Sequence, residues 1–275
     1  MGKYKIISFD LDGTLLDDRK RISPECRKWI IEFQEKGGFV VLSSGRKYRE
    51  IKDFVNELRL KELGKGFVIS SSGMYLHNET LETVEVLEGY SSETAALIIK
   101  ILIDSDISNT YKVVTNRLDY IVPSRFDLNC LIKNSVYAIL KKNVRYKNAK
   151  NIANIEDVVE KISIYTKDKD AVASVLADID LSVNIRLIDG NRVEIYDRSV
   201  DKSVALQRLL SKLNIDKNDL LLFGDDENDL ACFDVFESTV AMGNSVSLIK
   251  KKAKFTTKCN NENGVYQILC KINEL

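Results

Sequence analysis

Two groups of carboxylates stand out by type and spacing. Asp10 and Asp12 lie one residue apart at the end of the apolar run Ile6-Ile7-Ser8-Phe9 and are followed by Gly13-Thr14. Asp225, Asp226, Glu227 and Asp229 follow a second apolar run, Leu220 to Gly224. Carboxylates crowded together repel, and burial makes their ionisation costlier still. A hard cation resolves both problems, and a small all-oxygen set with retained water suits Mg²⁺. Beside such an ion one aspartate can attack phosphorus while its neighbour trades a proton with the leaving group. Charge growing on phosphoryl oxygens calls for further donors. Ser43 and Ser44 offer hydroxyls beside Gly45, and Lys202 offers an ammonium at a helix start. Taken alone, Asp-x-Asp-Gly reads equally well as a turn. The calcium loop of an EF-hand also begins this way, but its fifth position and terminal Glu are missing and an apolar strand precedes the motif. Two acidic clusters at matching strand ends argue for a site.

The elements that must position these groups follow a simple rhythm. Strand "YKIISF" leads to a helix that opens on Ser23-Pro24 and stops at Gly37-Gly38. Strand "FVVLSS", a helix across "KYREIKDFVNELRL" and strand "GFVISSSG" come next. Strands apolar on both faces, alternating with helices, predict a parallel sheet covered on both sides. The texture then changes to a hairpin around Asn78-Glu79-Thr80, a helix from about Ser91, several extended pieces, and a closing strand pair joined by Asp189-Gly190-Asn191. After it the first rhythm resumes with helix "KSVALQRLLSKL", strand "DLLLFGDD", strand "STVAMG" and short strand "KFTT". The expected architecture is α/β: a doubly wound, Rossmann-like core over 1–83 and 191–275, interrupted by an α+β unit over 84–190. Open parallel sheets carry their sites outside the carboxyl ends of the strands, where both acidic clusters fall.

Composition narrows the setting. Lys plus Arg and Asp plus Glu both number 41, so the net charge is zero and no global field favours nucleic acid or a membrane surface. The apolar stretches are too short to span a bilayer, and Asp10 and Asp12 interrupt any secretory pattern at the N-terminus. Five scattered cysteines without a C-x-x-C point to reduced thiols and a cytoplasmic setting. A monomer or weak dimer is expected, since no amphipathic seam demands a partner. His77, the single histidine, is read as a surface residue of the hairpin, and Asp17-Asp18 as a solvated loop.

Four pieces in this order, "FDLDGTLL", "SSGR", "DKSVAL" and "GDDENDL", resemble the motifs of the haloacid dehalogenase (HAD) superfamily. The later "STVAMGNS" and "NNENGVYQIL" are similar to segments of its Cof-type, sugar-phosphatase-like branch, whose large α/β cap is inserted where the second unit lies here. The resemblance implies Asp10 as nucleophile, Asp12 as acid/base, and Ser44, Gly45, Lys202 and Asn228 around the phosphate. It implies Mg²⁺ held by Asp10, the main chain of Asp12, Asp225 and Asp229. The sequence departs from the pattern at Ser44 for the common Thr, Ser203 for a Gly, Asp226 for a small residue, and Ser72-Gly73-Met74 for the usual N-G-A. None removes a group the chemistry requires, and Asp226 is expected to point to solvent. Arg46 is read either as an electrostatic brace or as a structural ion pair at a helix start.

The implied activity is hydrolysis of a small phosphomonoester such as a sugar phosphate, flavin mononucleotide or pyridoxal phosphate, with the cap selecting the substrate. Tyr111, Asn116, Arg117, Tyr120 and Arg125 are candidate contacts, each read first as surface or cap core. The within-family alternative is a phosphosugar mutase of the same superfamily, since phosphomannomutases resemble this branch in cap type. A non-catalytic phosphometabolite binder is the alternative of a different class, against which the intact Asp10, Asp12, Lys202, Asp225 and Asp229 set argues.

Overall fold

Every side chain of Ile6–Phe9 (β1) is buried, which fits a strand at the middle of a sheet covered on both faces. The computed structural model describes residues 4–271 except 79, 81, 88, 126–127, 141, 178–182 and 189–190. After β1 come α1 (Pro24–Glu35), β2 (Phe39–Ser43), α2 (Tyr48–Glu57), α3 (Leu60–Leu63), β3 (Gly66–Ser70), β4 (Tyr75–His77) and β5 (Thr83–Val86). Ser23 caps α1 by accepting from the Cys26 amide at 3.2 Å, with Pro24 at the first helical position.

The single helix expected over Lys47–Leu60 is broken. Arg59 takes a left-handed conformation (φ 55°), and the Gln34 amide donates to the Leu58 carbonyl at 3.0 Å, satisfying it outside the helix. The break lets Leu58 and Leu60 both enter the core, where neither is exposed.

A second compact unit spans Glu88–Ser199. It contains α4 (Ser92–Asp104), β6 (Thr110–Thr115), β7 (Asp119–Pro123), α5 (Leu128–Ile139), β8 (Val144–Tyr146), β9 (Val159–Ile164), α6 (Lys169–Ala177), β10 (Val183–Ile188) and β11 (Arg192–Asp197). Its sheet runs β10-β11-β9-β6-β7-β8, antiparallel except for the β7/β8 pair. Alternate residues of these strands, including Tyr111, Val113, Ile162, Val193 and Ile195, join α4 and α6 side chains in one core.

The chain then returns to the first unit, Met1–Leu87 with Val200–Leu275, through α7 (Lys202–Leu213), β12 (Leu220–Gly224), α8 (Leu230–Val235), β13 (Thr239–Ala241), α9 (Ser247–Lys252), β14 (Phe255–Thr256) and α10 (Gly264–Cys270). The junctions expected at 83/84 and 190/191 therefore fall at 87/88 and 199/200. β11 stays with the second unit because it pairs with β10 and β9, and Leu87 stays with the first because its amide donates to the Met74 carbonyl. Glu79 of the first expected turn and Asp189-Gly190 of the second lie outside the described residues. The strands flanking each turn pair antiparallel as expected.

In the first unit the strand order is β14-β13-β12-β1-β2-β3-β4-β5. All pairs from β14 to β3 are parallel, and β4 and β5 add an antiparallel edge. Alternate residues feed two cores. Ile7, Phe9, Leu221 and Phe223 pack with α1, α2 and α10, while Ile6, Leu220 and Leu222 pack with α7, α8 and α9. β1 and β12 are neighbours in register, Phe9 opposite Phe223 with their rings stacked at 5.2 Å. That pairing brings both acidic strand ends to one place.

Candidate active site

Asp10 follows β1 directly, and its amide donates to the Phe223 carbonyl at the end of β12. Asp225 and Asp229 leave β12 through a short turn. Carboxylate oxygens of Asp10, Asp225 and Asp229 all lie within 4.8 Å of one another. Lys202, at the first turn of α7, reaches in with its ammonium 2.6 Å from Asp10 Oδ1 and 2.7 Å from Asp229 Oδ1. This lysine is 1% exposed, so the expected phosphate-site cation is a buried one.

Backbone amides hold the acidic turn. The amides of Asp225 and Asp226 both donate to Asp229 Oδ2, the nearer at 3.1 Å. Thr14 donates its hydroxyl to Asp225 Oδ1 at 2.7 Å, and Asn244 donates to the Gly13 carbonyl at 2.8 Å. Gly13 sits at φ +80°, and a Cβ there would fall 2.3 Å from the Asp225 carboxylate, so the close approach of the two clusters requires glycine.

The electrostatics follow from crowding. Burial, only partly offset by Lys202, raises the Asp10 pKa well above the ordinary carboxylate range, and Asp229 and Asp225 push it further. Asp225 is raised to about 7 by burial and then by the charge of Asp229. Burial disfavours the charged form of Lys202, yet Asp10 and Asp229 outweigh it and raise its pKa. Three crowded carboxylates with one ammonium form a hard, all-oxygen donor set with negative charge to spare, which fits a small divalent cation. Asn228 Oδ1 is also buried there and has no hydrogen-bond partner among the described residues.

Asp12 stands apart from this trio. Its carboxylate is forked by Arg46 at 2.7 Å on both oxygens, and Lys20 approaches Oδ1 at 2.5 Å. Burial alone would raise its pKa, but Arg46 and Lys20 together bring it below the ordinary value. Arg46 is thus an ion-pair partner of the expected acid/base group. Ser44 is buried behind Arg46 and accepts from its amide at 3.2 Å. Gly45 lies alongside Ser72, whose Oγ would sit 3.3 Å from an added Cβ. Ser203 is buried and donates its amide to Asp201, the residue that caps the N-terminus of α7, at 2.7 Å, a bond a glycine could make equally well.

Other expectations change. Asp226 is half-buried rather than turned to solvent; it caps the turn by accepting from the Glu227 amide at 2.8 Å. Asp17 pairs with Arg21, and Asp18 accepts from Asn260 and Asn261, so that loop is tied down. His77 is buried, because the Tyr48 ring lies tilted against its own at 4.4 Å and hydroxyls of Ser70 and Thr83 meet its two nitrogens. In the second unit Tyr111 and Tyr120 are core, while Asn116, Arg117 and Arg125 are exposed. Thr14, Asn244 and Lys20 carry no role that the sequence alone would assign. Thr14 and Asn244 lie within motifs already singled out, whereas nothing around Lys20 marks it.

The family model for haloacid dehalogenase-like hydrolases matches residues 7–269. A 5-amino-6-(5-phospho-D-ribitylamino)uracil phosphatase of Bacillus subtilis (strain 168) is 27% identical over 97% of each chain. A second phosphatase so named from that organism is 26% identical over 95% of this chain and 92% of its own. The crystal structure of a haloacid dehalogenase-like hydrolase from Bacteroides thetaiotaomicron superposes with a TM-score of 0.76 at 28% identity, covering 98% of this chain and 99% of that one. The chain belongs to the haloacid dehalogenase-like hydrolase family and is a phosphatase of it.

Proposed function

We propose that the protein hydrolyses small phosphomonoesters with Mg²⁺ through an aspartyl phosphate on Asp10. The observation that carries the reading is the Asp10, Asp225 and Asp229 cluster bridged by buried Lys202. Asp10, Asp225 and Asp229 would hold the ion together with the main-chain carbonyl of Asp12. When bound, it would neutralise the carboxylates and draw charge from the phosphoryl oxygens.

The chain's own groups account for the remaining chemistry. An Asp10 carboxylate oxygen forms a bond to phosphorus as the bond from phosphorus to the leaving oxygen breaks. Lys202, the Ser44 hydroxyl beside Gly45 and the side-chain NH₂ of Asn228 would supply donors to the phosphoryl oxygens. Asp12 is held ionised by Arg46 and Lys20, which suits it to take the proton of the water that later attacks the phosphoaspartate. That attack returns Asp10 and releases inorganic phosphate. Delivering a proton to the leaving alkoxide requires Asp12 to be protonated first, hence to leave the Arg46 fork. The unit over 88–199 serves as the cap that selects the substrate. Since relatives are named for a phosphorylated ribitylaminouracil, that compound heads the panel, with sugar phosphates, flavin mononucleotide and pyridoxal phosphate behind it.

Phosphate release from p-nitrophenyl phosphate and this panel, with Mg²⁺ and with EDTA, tests the reading. Turnover is expected only with the metal and is expected to fall at least about 10³-fold in Asp10→Asn. Absence of phosphate release from every ester would sink the activity, and retained turnover in Asp10→Asn would sink the nucleophile.

A further inference from the structure

α5 is docked by the wrong face. Its inward side presents Cys130, Asn134 and Tyr137. The Asn134 side chain exchanges hydrogen bonds with the Tyr146 backbone of β8, and the Tyr137 and Tyr146 rings lie 6.1 Å apart. The aliphatic side chains Leu128, Leu131, Ile132, Val136 and Ile139, with Leu140 just beyond, all point outward. Their spacing puts them on a single stripe. Leu128 is 70% and Ile139 80% exposed, and this helix region holds six of the 13 exposed large apolar residues among the described ones. Single exposed leucines need no explanation, but a contiguous stripe does.

The charge around the stripe is one-sided. Between residues 128 and 155 the sequence has six Lys or Arg and no Asp or Glu, in a chain whose net charge is zero. Lys133 and Lys142 are exposed, with ammonium groups 5.1 and 5.2 Å from the Tyr146 and Tyr137 ring centres. Lys150 is exposed nearby, and Arg145 and Lys147 are half-buried.

From this pairing we propose that the outward face of α5 docks the protein on an anionic lipid surface. A second copy of the chain would bring two basic rims together. Protein partners favour aromatic anchors and exclude Lys, whereas the stripe is purely aliphatic and rimmed by Lys. An anionic bilayer meets both features, with hydrocarbon for the stripe and negative headgroups for the rim. The helix would lie in the interfacial plane; among the described residues no helix is long and apolar enough to cross a membrane. This inference rests on the second unit alone and is independent of the phosphatase chemistry.

Flotation of the full-length protein with vesicles of phosphatidylcholine, with and without 30% phosphatidylglycerol, provides the test. Binding is expected to the anionic vesicles only and to be reversed by about 0.5 M salt. Ile132→Gln/Ile139→Gln is expected to weaken it at least roughly tenfold, and Lys133→Gln/Lys142→Gln on the order of tenfold or more. All four side chains are exposed, so melting temperatures should stay at the wild-type value and report intact folding. Failure to float with anionic vesicles would overturn the proposal, as would undiminished binding in the isoleucine variant. So would a dimer in sedimentation velocity that the isoleucine variant abolishes, which would assign the face to a second copy.

Discussion

His77 sits between two hydroxyls, Ser70 Oγ at 3.0 Å from Nε2 and Thr83 Oγ1 at 3.1 Å from Nδ1, under the Tyr48 ring. Both hydroxyls can accept as well as donate, so hydrogen bonding does not forbid a charged ring. Burial does, and it lowers the pKa from 6.5 to about 4. The folded state therefore binds the proton less tightly than the unfolded chain. Its contribution is complete above about pH 6.5 and is lost as pH falls from there toward 4. The full shift corresponds to about 3 kcal/mol. Because the chain has one histidine, an NMR titration reads a single imidazole. Its midpoint is expected near 4, and a midpoint near 6.5 would show that the ring is solvated. Nothing in the local sequence separates this histidine from an exposed hairpin residue. Its burial depends on Tyr48, which arrives from a different element.

At the scale of elements, the turn from β3 to β4 ties together the pieces that carry the candidate site. Ser71 and Ser72 adopt left-handed conformations, at φ 49° and 59°, that serine seldom takes. In return, the Ser71 amide reaches the Arg46 carbonyl and the Ser72 amide the Ser44 carbonyl. Gly73, at φ +110°, lies against the start of α7, where a Cβ would stand 2.3 Å from the Asp201 carbonyl carbon and 2.6 Å from the Lys202 nitrogen. Gly73→Ala is thus expected to displace the α7 start and cost about 1–3 kcal/mol or more. Phosphate-ester turnover should fall while urea denaturation still shows a cooperative transition; full activity with unchanged stability would show that the turn braces nothing. The strand–helix rhythm and the carboxylates were legible in the sequence because each is a local pattern read along one segment. The brace was not, since it depends on backbone approach between segments more than 120 positions apart. The break at Arg59 and the placement of β11 were hidden for the same reason. Each is decided by a partner, Gln34 in one case and β9 in the other.

For the whole molecule, the first unit is assembled from two separated stretches, 1–87 and 200–275. Asp10 comes from one, and Asp225, Asp229 and Lys202 from the other, so the candidate site is also a seam. A summed charge of zero hides such local concentrations, the acidic seam and the basic stretch over 128–155 alike. Without a divalent ion, Lys202 offsets part of the repulsion among three carboxylates, of which Asp225 is raised to about 7. An ion bound by the folded seam alone stabilises it by mass action, about 2.7 kcal/mol at a concentration 100 times its dissociation constant. For a chain of this size that corresponds to a rise of about 5–10 °C in melting temperature. Thermal scans with Mg²⁺ are expected to show such a rise, and EDTA is expected to abolish it. Asp229→Asn removes one carboxylate charge and with it part of the repulsion that the ion relieves. The new NH₂ would face either Lys202 or the amides that now donate to Asp229, so the melting temperature in EDTA should fall below the wild-type value, while the rise produced by Mg²⁺ should largely vanish. A Mg²⁺ response in Asp229→Asn as large as in the wild type would place the ion elsewhere and leave Lys202 as the sole counter-charge of the cluster.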